Sequence, residues 1–198
     1  MNKRQLMRGA TALVCAALAG GLAQAQDFPP KKPVTLVVGF AAGGAADAAA
    51  RLIAKKLGEN VGQTVVVDNK AGAGTVLGAQ AVAQAAPDGY TLLINNNTTW
   101  TMNPTLKPRL AYDPLQSFES VGTIGGIPLV VLVNPATPAA SVKELVALAK
   151  AQPGKLNYAS FGSGSSSHFA GELFKSATGA DLVHVPYKGS APAMQDLI

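Results

Sequence analysis

The stretch Val34-Thr-Leu-Val-Val-Gly-Phe-Ala-Ala-Gly-Gly-Ala-Ala-Asp-Ala-Ala-Ala-Arg-Leu-Ile-Ala-Lys-Lys-Leu57 decides the fold. It opens as a β-branched apolar run, passes through a glycine-rich turn and enters an alanine-rich segment. That order predicts a strand, a loop and a helix, with the backbone N–H groups of Ala41, Ala42, Gly43 and Gly44 aimed at one point together with those of the first helical turn. N–H groups at a helix start have no intrahelical acceptor, and the helix dipole adds roughly half a positive charge there. A small anion is their natural partner.

The same rhythm repeats downstream. Thr64 to Val67 reads as a second strand, Asp68 to Gly74 as a loop and Thr75 to Ala85 as a small-residue helix. Pro87-Asp-Gly89 is a turn, and Tyr90 to Ile94 a third strand that runs into Asn95-Asn96-Asn97. The next stretch lacks a clear helical pattern and is interrupted by Pro104, Pro108 and Pro114. The apolar segment Val121 to Val133, split by Gly125-Gly126 and Pro128, reads as the passage into a second domain. Ser141-Val-Lys-Glu144 forms a capping box for a helix reaching Ala151. Leu156 to Ser160 is then a strand, Phe161 to Ser166 a Gly/Ser loop, Ser167 to Ala177 a helix and Asp181 to Val185 a strand, with a last helix starting near Ala191. Repeated strand–loop–helix units predict an α/β fold with parallel sheets, in which ligands sit beyond the carboxyl ends of the strands. The expected organisation is a signal peptide at 1–25, a first α/β lobe at 26–125 and a second at 126–198. The second lobe reads as incomplete, because the last helix meets Ile198 without a C-cap glycine or a following strand.

Lys3, Arg4 and Arg8 followed by the apolar run Gly9 to Leu22 and by Ala23-Gln-Ala25 predict an exported chain cleaved after Ala25, hence a periplasmic protein. The run falls short of the roughly 18 to 20 residues of a membrane-spanning helix. Cys15, the one cysteine, lies inside this leader, which excludes disulfides and thiol catalysis in the processed protein. The leader also holds three of the 16 basic residues and none of the 11 acidic ones, so the remainder carries 13 against 11. Nothing in that balance suggests nucleic-acid binding.

Enzymatic motifs fail one by one. Gly72, Gly74 and Gly78 are spaced one residue longer than the dinucleotide fingerprint and have no acidic residue about 20 positions on. Gly154-Lys155 is followed by Leu156 rather than Ser or Thr, which excludes a Walker loop. The hydroxyl-rich run Ser160 to Ser167 ends at His168 and raises the alternative of a periplasmic serine hydrolase. No serine there is flanked as G-x-S-x-G, and a helix N-terminus capped by Ser166 or Ser167 explains the run more simply. His168 and Glu172 share a helix face, but with His184 the sole other histidine they make no metal site; Glu172 reads as a solvated helix residue. His184 reads as a hydrogen-bonded strand residue facing the cleft or a partner helix, and Trp100 as a ligand-stacking, core or hinge residue. Asp47 and Arg51, at i and i+4, suit a mutual ion pair, yet Asp47 is equally placed to accept a ligand ammonium or organise water. Two glycine-rich strand-to-helix loops remain, neither read as carrying a nucleophile–base pair. Facing sets of N–H and hydroxyl donors suit capture of a carboxylated solute between two lobes, whose closure a membrane partner can recognise.

The motifs Val38-Gly-Phe-Ala-Ala-Gly-Gly-Ala-Ala-Asp-Ala-Ala-Ala-Arg51, Val67-Asp-Asn-Lys-Ala-Gly-Ala-Gly-Thr75, Pro87-Asp-Gly-Tyr-Thr-Leu-Leu93, Asn157-Tyr-Ala-Ser-Phe-Gly-Ser-Gly-Ser-Ser-Ser-His168 and His184-Val-Pro-Tyr-Lys-Gly-Ser-Ala-Pro-Ala193 resemble those of the periplasmic solute receptors of tripartite tricarboxylate transporters, the Bug family. The resemblance implies a two-lobed periplasmic-binding-protein fold, no enzymatic activity, no cofactor or metal, and a monomer that delivers a small tri- or dicarboxylate, acidic amino acid or aromatic acid to membrane permease subunits. Carried over by position, the ligand site takes Phe40, Ala41, Ala42, Gly43, Gly44 and Asp47 from the first lobe, with Asn95 and Asn97 beside them. The second lobe contributes Ser160, Gly162, Ser163, Gly164, Ser165, His168 and Tyr187. Two departures stand out. Phe40-Ala41-Ala42 replaces a proline-containing turn, and family members run well past Ile198, so a non-functional truncated receptor is a further reading.

Overall fold

The computed structural model describes residues 32–198. The expected leader and its cleavage after Ala25 therefore lie outside the described residues. Two parallel sheets organise the chain. In the first, the order is β2–β1–β3, with β1 at Val34–Val38, β2 at Val65–Asn69 and β3 at Thr91–Ile94. The second pairs β4 (Leu156–Ser160) with β5 (Leu182–Pro186).

Strand β1 is the centre of the first sheet, which explains its composition. A parallel strand covered on both faces is apolar throughout rather than alternating, and Val34, Leu36, Val37 and Val38 are all buried. Register brings Val38 level with Asn69 on one side and Ile94 on the other, so three strands end together. Helix α1 (Ala45–Val61) follows β1 and packs Ala50 and Ala54 onto Leu36, Val38 and Phe40. It ends at Gly62, whose left-handed φ of 67° lets its N–H reach the Gly58 carbonyl. Helix α2 (Val76–Ala83) lies unusually close to the sheet: a Cβ on Gly78 would stand 2.9 Å from Gly39 Cα and 3.2 Å from the Lys70 carbonyl.

The stretch after β3 departs from the expectation of no helix. Thr98–Met102 forms a π-turn that runs into the short α3 (Asn103–Leu106). The Thr99 carbonyl accepts the Tyr112 hydroxyl at 2.9 Å, and such insertion of an outside donor is a recognised cause of a widened turn. Trp100 stands edge-on to Phe118 with centroids 4.9 Å apart, a packing role. The apolar Val121–Val133 segment forms neither helix nor strand, and Val121, Val130 and Val131 are exposed.

Helix α4 (Val142–Ala151) begins at the residue the capping box names. Ser141 Oγ accepts from the Glu144 N–H at 3.2 Å, and Glu144 accepts from Ala140, one residue before the cap. Helix α5 (Ser166–Thr178) starts one residue earlier than expected, because Ser165, not Ser166 or Ser167, is its cap. The last helix, α6 (Ser190–Leu197), has its terminal carbonyl at Leu197 met by Asn134 Nδ2 at 2.7 Å. The second core is small, centred on Ala149, Ala180 and Leu182. Phe161 leaves it and packs on the first core instead, tying the two units together.

Candidate functional site

Because the strands of each sheet end level, their following loops converge. The β1–α1 loop meets the β5–α6 loop directly: the Ala41 N–H donates to the Lys188 carbonyl at 2.9 Å. Gly189, at φ 156°, passes so near that a Cβ there would stand 3.3 Å from Ala41 N. A Cβ on Gly44 would meet Ser190 Oγ at 2.7 Å. The β2–α2 loop meets the β4–α5 loop in the same way, with 2.7 Å between the Ser163 carbonyl and the position a Cβ would take on Gly74. The Ser166 N–H then donates to Thr98 Oγ1 at 3.2 Å across the two units.

These loops enclose a cleft of about 250 Å³. Gly39 lies at its base, Gly72–Thr75 and Phe161–Ser163 form its walls, and Tyr187, Lys188 and Lys107 lie along its margin. Drug-sized ligands occupy sites of about 300–1,000 Å³, so the space fits a smaller metabolite. A larger, open groove of about 420 Å³ runs beside α1 and β2 around Arg51, Lys55 and Gln63, away from the carboxyl ends of the strands. The position rule for α/β sheets favours the smaller cleft.

The first loop differs from the expectation that four amides converge on a ligand. Ala41 spends its N–H on Lys188, and Gly43 donates to Asp47 Oδ2 at 2.9 Å. Phe40 points into the core, and its carbonyl accepts from Asn69 Nδ2 at 3.1 Å. Ala42 is exposed and Gly44 buried against Ser190. Asp47 is buried; its Oδ2 also accepts from Arg51 Nε at 2.9 Å, while Oδ1 has no partner among the described residues. The Arg51 bond, with the Gly43 and Asn69 donors, outweighs burial and holds the carboxyl below the usual carboxylate range. Thus the pair with Arg51 is formed, and Asp47 braces the loop from beneath.

Asn95 and Asn97 separate. Asn95 Nδ2 is buried without a partner among the described residues and would stand 2.7 Å from a Cβ on Gly39, at the base of the cleft. Asn97 is exposed, its carbonyl taken by Thr101 Oγ1 at 2.8 Å. In the second unit, Gly162, Ser163 and Tyr187 line the cleft. Tyr187 donates its N–H to the Ser160 carbonyl at 2.9 Å and its hydroxyl to Asp196 at 2.6 Å. Gly164 donates its N–H to His168 Nδ1 at 3.0 Å, and Ser165 Oγ caps α5 by accepting from the His168 N–H at 3.3 Å.

Ser160 has a histidine partner that the sequence did not assign to it: Ser160 Oγ and His184 Nε2 are 2.6 Å apart, so His184 is the hydrogen-bonded strand residue expected. The pair does not make a nucleophile. Ser160 is fully buried, and its oxygen is also engaged by Gly162 at 3.2 Å. His184 is stacked between Tyr158 (centroids 4.9 Å) and His168 (3.9 Å), so it faces α5. Glu172 is an exposed residue of α5, as expected, and accepts from the Tyr158 hydroxyl at 2.5 Å and from Lys175 at 3.2 Å. Burial and the Glu172 carboxylate push the Tyr158 hydroxyl pKa up. Together these groups hold the shape of the Phe161–Ser165 loop.

That arrangement has a pH consequence. Burial first, then the facing His168 and Lys175, lower the His184 pKa against the opposing pull of Glu172. A group that is harder to protonate when folded takes up more protons unfolded, so stability falls as pH drops through the free-histidine value of about 6.5. The melting temperature is expected to decline between pH 7.5 and 5.5, and His184→Asn to flatten that decline. A profile of the same steepness in the variant would exclude His184 as its source.

Sequence reasoning missed the Gly72–Thr75 loop as a cleft wall. Gly72, Ala73, Gly74 and Thr75 all have positive φ (139°, 50°, 64° and 73°). Such angles are strained for Ala and more so for a β-branched Thr, and strain of this kind persists where surrounding bonds impose it. Here Asn103 Nδ2 donates to the Gly74 carbonyl at 2.7 Å, and Thr75 Oγ1 lies 2.8 Å from Thr99 Oγ1. The usable signal was the strand–glycine loop–helix rhythm itself, the same as in the first loop.

Residues 49–198 match the model of the tripartite tricarboxylate transporter family receptor. The chain belongs to that receptor family. Among relatives of this family, Protein BugT of Bordetella pertussis is 39% identical over 173 residues, covering 87% of this chain and 53% of its own length. A protein from the tcbD–tcbE intergenic region of Pseudomonas sp. strain P51 is 42% identical over 176 residues, covering 89% and 52%. The chain therefore spans about half the length of the curated relatives it matches. Among solved structures, R. palustris Rpa4515 with adipate superposes with a TM-score of 0.83 at 40% identity, covering 86% of this chain and 57% of that one. MatC from Rhodopseudomonas palustris with bound malate gives 0.79 at 36% identity, covering 85% and 57%. Periplasmic binding protein BugD gives 0.76 at 40%, covering 85% and 56%. Family receptors and these neighbours are binding proteins rather than enzymes, which sets the hydrolase alternative aside, and the family supports a periplasmic location.

Proposed function

We propose that this chain is the solute-capturing part of a periplasmic receptor that binds a small carboxylated metabolite and presents it to the membrane permease of a tripartite tricarboxylate transporter. The observation that carries the reading is the cleft itself. It lies where strand-end loops of two sheets meet, its margin includes Lys107 and Lys188, and no acidic side chain lines it among the described residues. A cleft lined by one sign of charge concentrates ions of the opposite sign. Adipate and malate in the two related structures are carboxylates of suitable size. The site residues proposed are Gly39, Gly74, Thr75, Gly162, Ser163 and Tyr187, which line the cleft, with Asn95 beside Gly39, while Asp47, Ser160, Ser165 and His168 position the loops. Calorimetric titration with a panel of adipate, malate, glutamate and benzoate, against the neutral amide of each, tests it. At least one acid is expected to bind with micromolar affinity and its amide to bind at least about tenfold more weakly. Equal affinity for acid and amide throughout would end the carboxylate reading.

A further inference from the structure

Lys107 and Lys188 reach the same cleft from the two different units. Lys107 ends α3, with its N–H held by the Asn103 carbonyl at 2.9 Å, and is half-buried. The neighbouring Leu106 side chain comes within 3.6 Å of where a Cβ on Gly164 would lie, so this end of α3 abuts the β4–α5 loop. Lys188 follows β5, and the bond from its carbonyl to Ala41 N–H fixes the root of its side chain beside the first loop. The ion pairs of the described residues involve Lys32, Arg51, Lys56, Lys70 and Lys175, and neither cleft lysine has a carboxylate partner among those residues. Asp196, beside the second loop, is tied to the Tyr187 hydroxyl.

Two lysines with no carboxylate partner among the described residues, one from each unit, line one small cleft, where a ligand of opposite charge would compensate them. We infer that Lys107 and Lys188 are the residues that set charge selectivity, each meeting one end of an anion with two separated acid groups. The inference rests on the carboxylate-receptor reading and deepens it. An anion with one acid group satisfies a single lysine and leaves the other opposed by nothing. A two-ended anion compensates both lysines at once, so the charge count of the ligand is read by the pair.

The test uses the whole chain and two probes of equal carbon number, adipate and hexanoate, titrated by calorimetry into the unchanged protein, Lys107→Met, Lys188→Met and the conservative Lys107→Arg. Adipate is expected to bind at least about tenfold more tightly than hexanoate, and each Met variant to reduce that preference about fivefold or more while hexanoate affinity moves less than twofold. Lys107→Arg is expected to retain most of the preference. Melting temperatures confirm that each variant folds, since both side chains reach the surface. An adipate-to-hexanoate ratio unchanged by either Met variant overturns the inference while leaving carboxylate binding intact. Sulfate binding as tightly as adipate would reduce the site to one for a compact dianion and also overturn it. Failure of both acids to bind the unchanged protein sinks the carboxylate reading and the inference with it.

Discussion

Gly74→Ala is expected to lower stability by about 3 kcal/mol and to weaken carboxylate binding more than tenfold. The left-handed φ of 64° costs an alanine roughly 1–2 kcal/mol. The added methyl would also stand 2.7 Å from the Ser163 carbonyl, which is backbone and cannot rotate away. Overpacking of that sort adds roughly 1–3 kcal/mol. Relief comes by moving the β4–α5 loop off the β2–α2 loop, and those two loops are opposite walls of the cleft. The urea midpoint should therefore fall with little change in slope, and calorimetry should show the affinity loss together with it. A variant that keeps wild-type affinity and loses less than about 1 kcal/mol would show that the two walls tolerate separation.

Asn103→Leu is expected to cost about 3 kcal/mol although it nearly conserves volume. Asn103 is fully buried, and its amide nitrogen donates to the Gly74 carbonyl at 2.7 Å and lies 3.4 Å from both Thr75 Oγ1 and the Tyr112 hydroxyl. Leucine would strand the Gly74 carbonyl, and a buried group left without its partner costs about 1–3 kcal/mol. It would also release the bond that holds Ala73 and Thr75 at strained angles, so ligand affinity should fall with stability. Tyr112→Phe supplies the comparison. It removes the hydroxyl that donates to the Thr99 carbonyl but leaves the Asn103–Gly74 bond in place, and about 1 kcal/mol with near-normal affinity is expected. If both variants lose affinity equally, the Gly72–Thr75 conformation is not what Asn103 protects.

Elements whose signals are local were legible. The apolar run at Val34–Val38 is a strand because its side chains are buried on both faces, and the capping box at Ser141 starts α4 where it reads. The start of α5 was legible to one residue only. Ser165, Ser166 and Ser167 are chemically equivalent caps, and the Ser165 N–H bond to the Gly162 carbonyl closes the turn that selects Ser165. The π-turn at Thr98–Met102 was not legible, because it depends on a Tyr112 hydroxyl arriving from beyond α3. Apolar composition in Val121–Val133 did not produce a strand either, since a strand exists through its partner and none pairs with it among the described residues.

By itself the sequence determined the alternation of strands, glycine loops and helices, and with it the family, since both are written in short contiguous motifs. Tertiary structure decided which of those loops' groups are spent and which remain for a ligand. Ala41 and Gly43 looked like free donors until Lys188 and Asp47 took them, and Ser160 found its partner in His184, 24 residues away. Nothing in the sequence marks Lys107 and Lys188 as neighbours of one cleft. Periodicity and capping are fixed by residues a few positions apart, whereas a binding site is fixed by where parallel strands end, and strand register is settled by packing across the whole sheet.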